Sequence, residues 1–259
     1  TMSNREIVYI LDFGSQYTQL ITRRVRELGF HSVIKTVGEA EELIGRNTLP
    51  LALILSGGPA SVFEDHHDYT LLLQHKLPML GVCYGMQLMA QHLGGRVERG
   101  KQGEYGHNTI VLERELPACP RELSVWMSHA DHVVALPTGF KPLALSGNHL
   151  VAGMIHESRP LMGLQFHPEV EHTQHGREVL SYFLLHLAQL KKNWSGAEVR
   201  VECENILQVA RGKKILCAFS GGVDSLVAAT LVHQTLGPEA MVCFFVDQGL
   251  LRPQDHSHI

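Results

Sequence analysis

No two cysteines in this 259-residue chain follow a Cys-x-x-Cys spacing. The five present, Cys83, Cys119, Cys203, Cys217 and Cys243, are odd in number. Both facts argue against a disulfide framework and favour a reducing, cytoplasmic setting. A strong excess of either charge is also lacking. Twenty-two basic against 26 acidic residues leave a net charge of −4, which gives no footing for nucleic acid or an anionic membrane as a main partner. No apolar run approaches the length of a membrane-spanning helix, and the opening TMSNREIVYILDFG lacks the basic, apolar and small-residue segments of a signal peptide. Neither a membrane segment nor a leader is expected. The 17 histidines lack the ligand spacing of a zinc site, so no metal is expected either. Internal repeats and low-complexity tracts are absent.

What remains is the composition of a soluble protein with a core: 44% hydrophobic and 19% charged residues. Short apolar runs, Ile7–Asp12, His31–Lys35, Leu51–Ser56 and Pro78–Val82, read as strands. Between them lie helical patterns, of which SQYTQLITRRVRELG places Leu20, Ile21, Val25 and Leu28 on one face. This alternation predicts an α/β fold with a mostly parallel central sheet flanked by helices. From Gly95 to about Gln165 short strands such as NTIVL, LSVWMS, HVVAL and LMGLQF predict an antiparallel extension. A long helix over Gly176–Leu190 closes the block. KKNWSG then reads as a linker, dividing a domain at 1–192 from a second at 193–259. The second holds one βαβ start, with KILCAFS and AMVCFFVDQG as its strands.

The segment PMLGVCYGMQ predicts a strand, a cramped turn and a helix, with Cys83 at the corner. Gly81 and Gly85, two residues to either side, leave room for strand and helix to touch. A cysteine so placed projects from the carboxyl end of the sheet, and the helix N-terminus favours its thiolate. The Tyr84 backbone N–H then faces an oxyanion, and the SGGP turn supplies further N–H groups at Gly57 and Gly58. A buried structural cysteine in a tight turn is the plainer alternative. LQFHPEV offers a base and its orienter: His167 and Glu169 are two residues apart and, in extended chain, share a face. A strand-end histidine beside a capping glutamate is the corresponding bland reading. Gln87, one helical turn after Cys83, either hydrogen-bonds a polar substrate or caps a face.

Together SGGP, GVCYGMQ and FHPE resemble the class I (triad) glutamine amidotransferase domain, from about Ile7 to Leu190. The resemblance implies that Cys83 attacks the glutamine side-chain amide, that His167 shuttles protons and that Glu169 holds His167. It implies substrate contacts from Gln87, Ser128 and His129, and no cofactor for glutamine hydrolysis. FSGGVDS, comprising Ser220, Gly221, Gly222, Val223, Asp224 and Ser225, is no Walker A loop, having no Gly-Lys-Ser/Thr. It resembles the pyrophosphate loop of the ATP pyrophosphatases, and VDQGLLR resembles a downstream strand end of the same kind. This second block thus resembles the first βαβ part of an adenine-nucleotide α-hydrolase-like domain. In this order the two blocks resemble the glutamine-hydrolysing GMP synthase family. That resemblance implies ATP with Mg2+, amination of xanthosine monophosphate to GMP, and a homodimer for the complete enzyme. Two other functions stay open: a stand-alone amidotransferase subunit serving a separate synthetase, and a regulatory binding protein of the same fold without turnover.

Overall fold

A computed structural model describes residues 6–220 and 222–245. The chain divides into two compact units, Thr1–Asn193 and Trp194–Ile259.

The first unit is built on one nine-stranded sheet. Its parallel half comes from the alternating start of the chain: β1 (Val8–Leu11), α1 (Thr18–Glu27), β2 (Ser32–Lys35), α2 (Val37–Gly45), β3 (Ala52–Leu55), α3 (Thr70–Gln74), β4 (Met79–Val82) and α4 (Tyr84–His92). The antiparallel half is β5 (Arg96–Leu112), β6 (Glu122–Ala135), β7 (Phe140–Ser146) and β8 (Val151–His156). The chain then returns to the parallel half with β9 (Leu161–Leu164) and ends in α5 (Gly176–Ser181). The strand order is β2-β1-β3-β4-β9-β8-β7-β5-β6. β9 lies parallel to β4 on one side and antiparallel to β8 on the other.

The unbroken apolar runs of β1, β3 and β4 follow from burial on both faces. Along β1, Val8 and Ile10 join a core layer with Ile21, Val25, Leu180 and Phe183. Tyr9 and Leu11 point the other way, into a layer with Ala40, Ile44, Leu72 and Met89. α2 starts where its sequence dictates. Thr36 accepts a hydrogen bond from the Glu39 N–H, and the Glu39 carboxylate accepts from Thr36 N–H at 2.8 Å, a reciprocal cap.

The structure departs from the expectations in the antiparallel half. LSVWMS and HVVAL are one strand, β6, and NTIVL is the end of the 17-residue β5. The two run side by side with a register shift between Arg99 and Glu104. The closing helix is α-helical only to Ser181. It continues as a π-helical stretch over Tyr182–Leu187 and stops there, short of Leu190. Wider hydrogen bonds do this: Ala188 N–H donates to Phe183 O, five residues back. The chain leaves the unit through Asn193, whose N–H reaches Gly29 O, whose Oδ1 accepts from His31 N–H, and whose Nδ2 donates to Glu6 O.

In the second unit α6 (Gly196–Leu207) precedes the parallel pair β10 (Ile215–Ala218) and β11 (Met241–Phe244), joined through α7 (Val223–Leu236). Gly221 and the VDQGLLR stretch lie outside the described residues. Among those described, no helix is long and apolar enough to cross a membrane.

Candidate active site

Cys83 stands between β4 and α4 with φ 51° and ψ −107°, a conformation that non-glycine residues seldom adopt. The glycines at either side make it possible. A β-carbon on Gly81 would lie 2.5 Å from the Gly85 carbonyl group, and one on Gly85 would lie 2.4 Å from Leu55 O on β3. Strand, turn and helix therefore pack backbone to backbone. Tyr84 opens α4, so its N–H falls in the first turn, where the helix itself offers no acceptor.

The Tyr84 side chain anchors that turn from the far side. Its hydroxyl donates to Asp65 Oδ2 at 2.5 Å, and Tyr69 donates to the same oxygen at 2.6 Å. Burial raises both phenols, and the Asp65 carboxylate raises them further. Burial also works against charge on Asp65, but the two tyrosine hydroxyls outweigh it and hold the carboxyl below its usual range.

His167 and Glu169 follow β9 and are almost wholly buried, 4% and 0% exposed. The imidazole Nδ1 meets Glu169 Oε1 at 2.8 Å. Burial works against a charge on His167. Hydrogen bonds with Cys83 and Glu169, and the attraction of both, outweigh it and push the imidazole up to about 10. Gly57 sits where the sulfur and imidazole residues converge. A β-carbon there would be 3.1 Å from His167 Cε1, 3.7 Å from Cys83 Cβ and 3.6 Å from Ser15 Oγ. Gly58 packs on the Phe13 carbonyl in turn. The Tyr17 ring lies edge-on to the imidazole with centroids 5.1 Å apart.

The other expected contacts divide. The exposed Ser128 brings its backbone carbonyl, rather than its hydroxyl, to the site: Cys83 Sγ donates to Ser128 O at 3.6 Å. His129 is buried and its ring turns to Asp131 O at 2.9 Å and Glu104 Oε2 at 3.2 Å. Glu104 also accepts from Ser146 and Asn148. Burial pulls His129 below the ordinary imidazole value, against the pull of Asp131 O and Glu104. Gln87 is buried as well, with Nε2 donating to Asp131 O at 2.8 Å and to Gln165 Oε1 at 3.3 Å.

Residues not anticipated from sequence complete the surroundings. Gln165 Nε2 reaches Cys83 Sγ at 3.7 Å. Thr173 donates to His167 O at 2.6 Å and accepts from Trp126 N–H at 3.0 Å, while His167 N–H donates to Trp126 O. Arg24 on α1 holds the Glu169 carbonyl at 3.1 Å. One signal was available for Gln165: it stands two residues before His167, on the same face of an extended segment.

In the second unit, Gly222 precedes the first turn of α7. The Ser220 and Ser225 hydroxyls are 3.1 Å apart, Gly222 N–H donates to Ser220 Oγ, and Ser225 Oγ donates to Gly222 O. Val223 and Asp224 are exposed on that turn. Gly221, also expected in this loop, lies outside the described residues. The hydroxyls and helix N-terminus suit a phosphate group. Among the described residues, no group of three or more His, Cys, Asp or Glu side chains is arranged to hold a metal ion.

The model of the family "Glutamine amidotransferase class-I" matches residues 9–187. A protein of Bacillus cereus (strain B4264) named GMP synthase [glutamine-hydrolyzing] is 44% identical over 255 residues, covering 95% of this chain and 49% of its own length. One of the same name from Staphylococcus epidermidis is 43% identical over 254 residues, covering 96% and 49%. The chain spans about half the length of the curated relatives it matches. Among solved structures, a Thermoplasma acidophilum protein described as a candidate GMP synthase subunit is 34% identical with a TM-score of 0.64, covering 71% of this chain and 94% of its own. A glutamine amidotransferase of Thermotoga maritima is similar in fold at TM-score 0.50 and 20% identity, covering 89% and 97%.

Proposed function

This chain belongs to the class I glutamine amidotransferase family, enzymes that take an amido group from glutamine, and on that premise we propose that Cys83, His167 and Glu169 are its catalytic triad. The observation that supports the reading best is the convergence of Cys83 and His167 over Gly57, with Glu169 Oε1 2.8 Å from the imidazole Nδ1. With its imidazole pushed up to about 10, His167 holds a proton at neutral pH. Cys83 attacks as the thiolate, with the imidazolium beside it as counter-charge.

The Cys83 thiolate attacks the side-chain amide carbon of glutamine. The carbonyl oxygen takes the negative charge and is met by N–H groups of Tyr84 and of the Gly57–Gly58 turn. The C–N bond breaks, His167 gives its proton to the nitrogen, and ammonia leaves. A glutamyl thioester remains on Cys83. His167, now neutral, takes a proton from water as the oxygen attacks the thioester, and it ends protonated beside a restored thiolate and free glutamate. Glu169 fixes the tautomer and steadies the imidazolium. Of the expected substrate contacts, the exposed Ser128 is the one left to hold glutamine, since Gln87 Nε2 is committed to Asp131 O and Gln165 Oε1. His129, whose ring faces Glu104, contributes through the backbone it holds.

For the whole protein the reading is that of its curated relatives, GMP synthase, acting in the cytoplasm as a homodimer. ATP with Mg2+ adenylates xanthosine monophosphate, and the ammonia displaces AMP to give GMP. Ser220, Gly221, Gly222, Val223, Asp224 and Ser225 take phosphates of ATP. The boundary between the two domains is read at 192/193, one residue from the division between the compact units after Asn193. The match to the curated relatives runs over 255 residues, well past Asn193, and this favours one continuous enzyme over a separate amidotransferase chain. The coverage of the Thermoplasma protein, 94% of its length against 71% of this chain, is the one observation favouring the separate-chain reading.

The test is ammonia and glutamate release from glutamine by this chain and by its Cys83→Ala variant, with and without ATP and xanthosine monophosphate. Release by the wild type and none by the variant is expected. Equal release by both would overturn the triad.

A further inference from the structure

Two buried amides and the Asp131 backbone carbonyl connect the Cys83 sulfur to β6, and their polarity is fixed from one end. A backbone carbonyl only accepts, so Gln87 must turn its nitrogen to Asp131 O, 2.8 Å away. That nitrogen carries a second hydrogen, directed at Gln165 at 3.3 Å. Gln165 must therefore present its oxygen to Gln87, which leaves its own nitrogen facing Cys83 Sγ at 3.7 Å. Flipping the Gln165 amide would set donor against donor at Gln87 and, for a thiolate, oxygen against sulfur at Cys83. Both glutamines are buried, 4% and 1% exposed, so water cannot readily relieve either clash.

The sulfur thus has two opposed neighbours besides the imidazole. Ser128 O, 3.6 Å away, accepts a hydrogen bond and so prefers the thiol. The Gln165 N–H donates and prefers the thiolate. Resting on the reading of Cys83 as nucleophile, we infer that Gln165 is a further catalytic residue: it donates a hydrogen bond to the Cys83 thiolate, and Asp131 O, acting through Gln87, sets the direction of that bond. The donation holds the charged sulfur form in place for attack and receives it again when the thioester is hydrolysed. A hydrogen bond to a charged group is stronger than a neutral one, and low local dielectric strengthens this one further.

The test follows Cys83 itself. Carboxamidomethylation of Cys83 by iodoacetamide is read by peptide mass spectrometry across a pH series on the whole chain, beside glutamine hydrolysis. In Gln165→Leu the pH of half-maximal alkylation moves up by about one unit or more, and turnover falls roughly tenfold or more with KM little changed. Gln165→Glu, which replaces the donor by an acceptor, moves the midpoint further in the same direction. Gln87→Leu frees the Gln165 amide to flip and gives a smaller upward shift, which keeps the inference testable if the Gln165 variants do not fold. An unchanged midpoint in folded Gln165→Leu, or in Gln87→Leu if the Gln165 variants fail to fold, overturns the inference. A shifted midpoint with no ammonia from the wild type would overturn the glutaminase reading and leave the sulfur contact standing. Ammonia release abolished by Cys83→Ala, with an unshifted Gln165→Leu, would do the reverse.

Discussion

Gly85 rests directly on the carbonyl of Leu55: a β-carbon at position 85 would stand 2.4 Å from that oxygen, closer than real β-carbons come to any atom. The neighbouring strand β3 thus defines how near α4 comes to the sheet, and with it where Cys83 is carried. Gly85→Ala must push the helix off the strand, because the three obstacles, Leu55 O, C and Cβ, are backbone or backbone-attached atoms. The expected cost is about 3 kcal/mol, the upper range for overpacking. Glutamine hydrolysis should fall further than the stability loss explains, since the elbow opens. Urea unfolding and ammonia release on the same preparation check this; a variant with wild-type stability would refute the packing argument.

The imidazolium of His167 makes stability depend on pH in a definite direction. Its folded value is raised from 6.5 to about 10, so the folded chain holds a proton that the unfolded chain releases. The resulting stabilisation is complete below pH 6.5, declines as pH rises and is gone above 10. The gap in melting temperature between wild type and His167→Gln should therefore narrow steadily over that interval. A gap constant from pH 6 to 10.5 would contradict the ion pair. Turnover in His167→Gln should drop by about a hundredfold or more.

Thr173 closes a small ring with His167 and Trp126, donating to one backbone and accepting from the other. Thr173→Val keeps the shape and takes a partner from the buried His167 carbonyl and the half-buried Trp126 N–H, at a cost of about 1–3 kcal/mol. A purely structural role would stop there. A positioning role also lowers kcat several-fold at unchanged KM, with recovery in Thr173→Ser. Full kcat in a folded Thr173→Val would remove the positioning role.

The elbow was legible in the sequence because its cause is local. Gly81, Cys83 and Gly85 lie within five residues, and spacing alone encodes the close approach of strand and helix. The His167–Glu169 pair was legible for the same reason. Gln165 and Thr173 were not. Their meaning lies in contacts with Cys83, Gln87 and Trp126, which the fold brings from 47 to 82 residues away. A substrate contact from His129 was implied by the family resemblance; its burial against Glu104 depends on a register shift in β5 that no periodicity announces. In the antiparallel half, Ser128–His132 broke the apolar pattern where β6 passes the site, so one long strand read as two. There the backbone carbonyls of Ser128 and Asp131 face Cys83 and Gln87 while the strand continues the sheet.

Asn193 gathers Glu6, Gly29 and His31 onto one side chain and its own N–H. The polypeptide consequently departs from its first unit beside the strand with which that unit begins. The seam is thus tied down by the first unit's own residues, and a pull on the chain beyond Asn193 is taken up first at Glu6, Gly29 and His31.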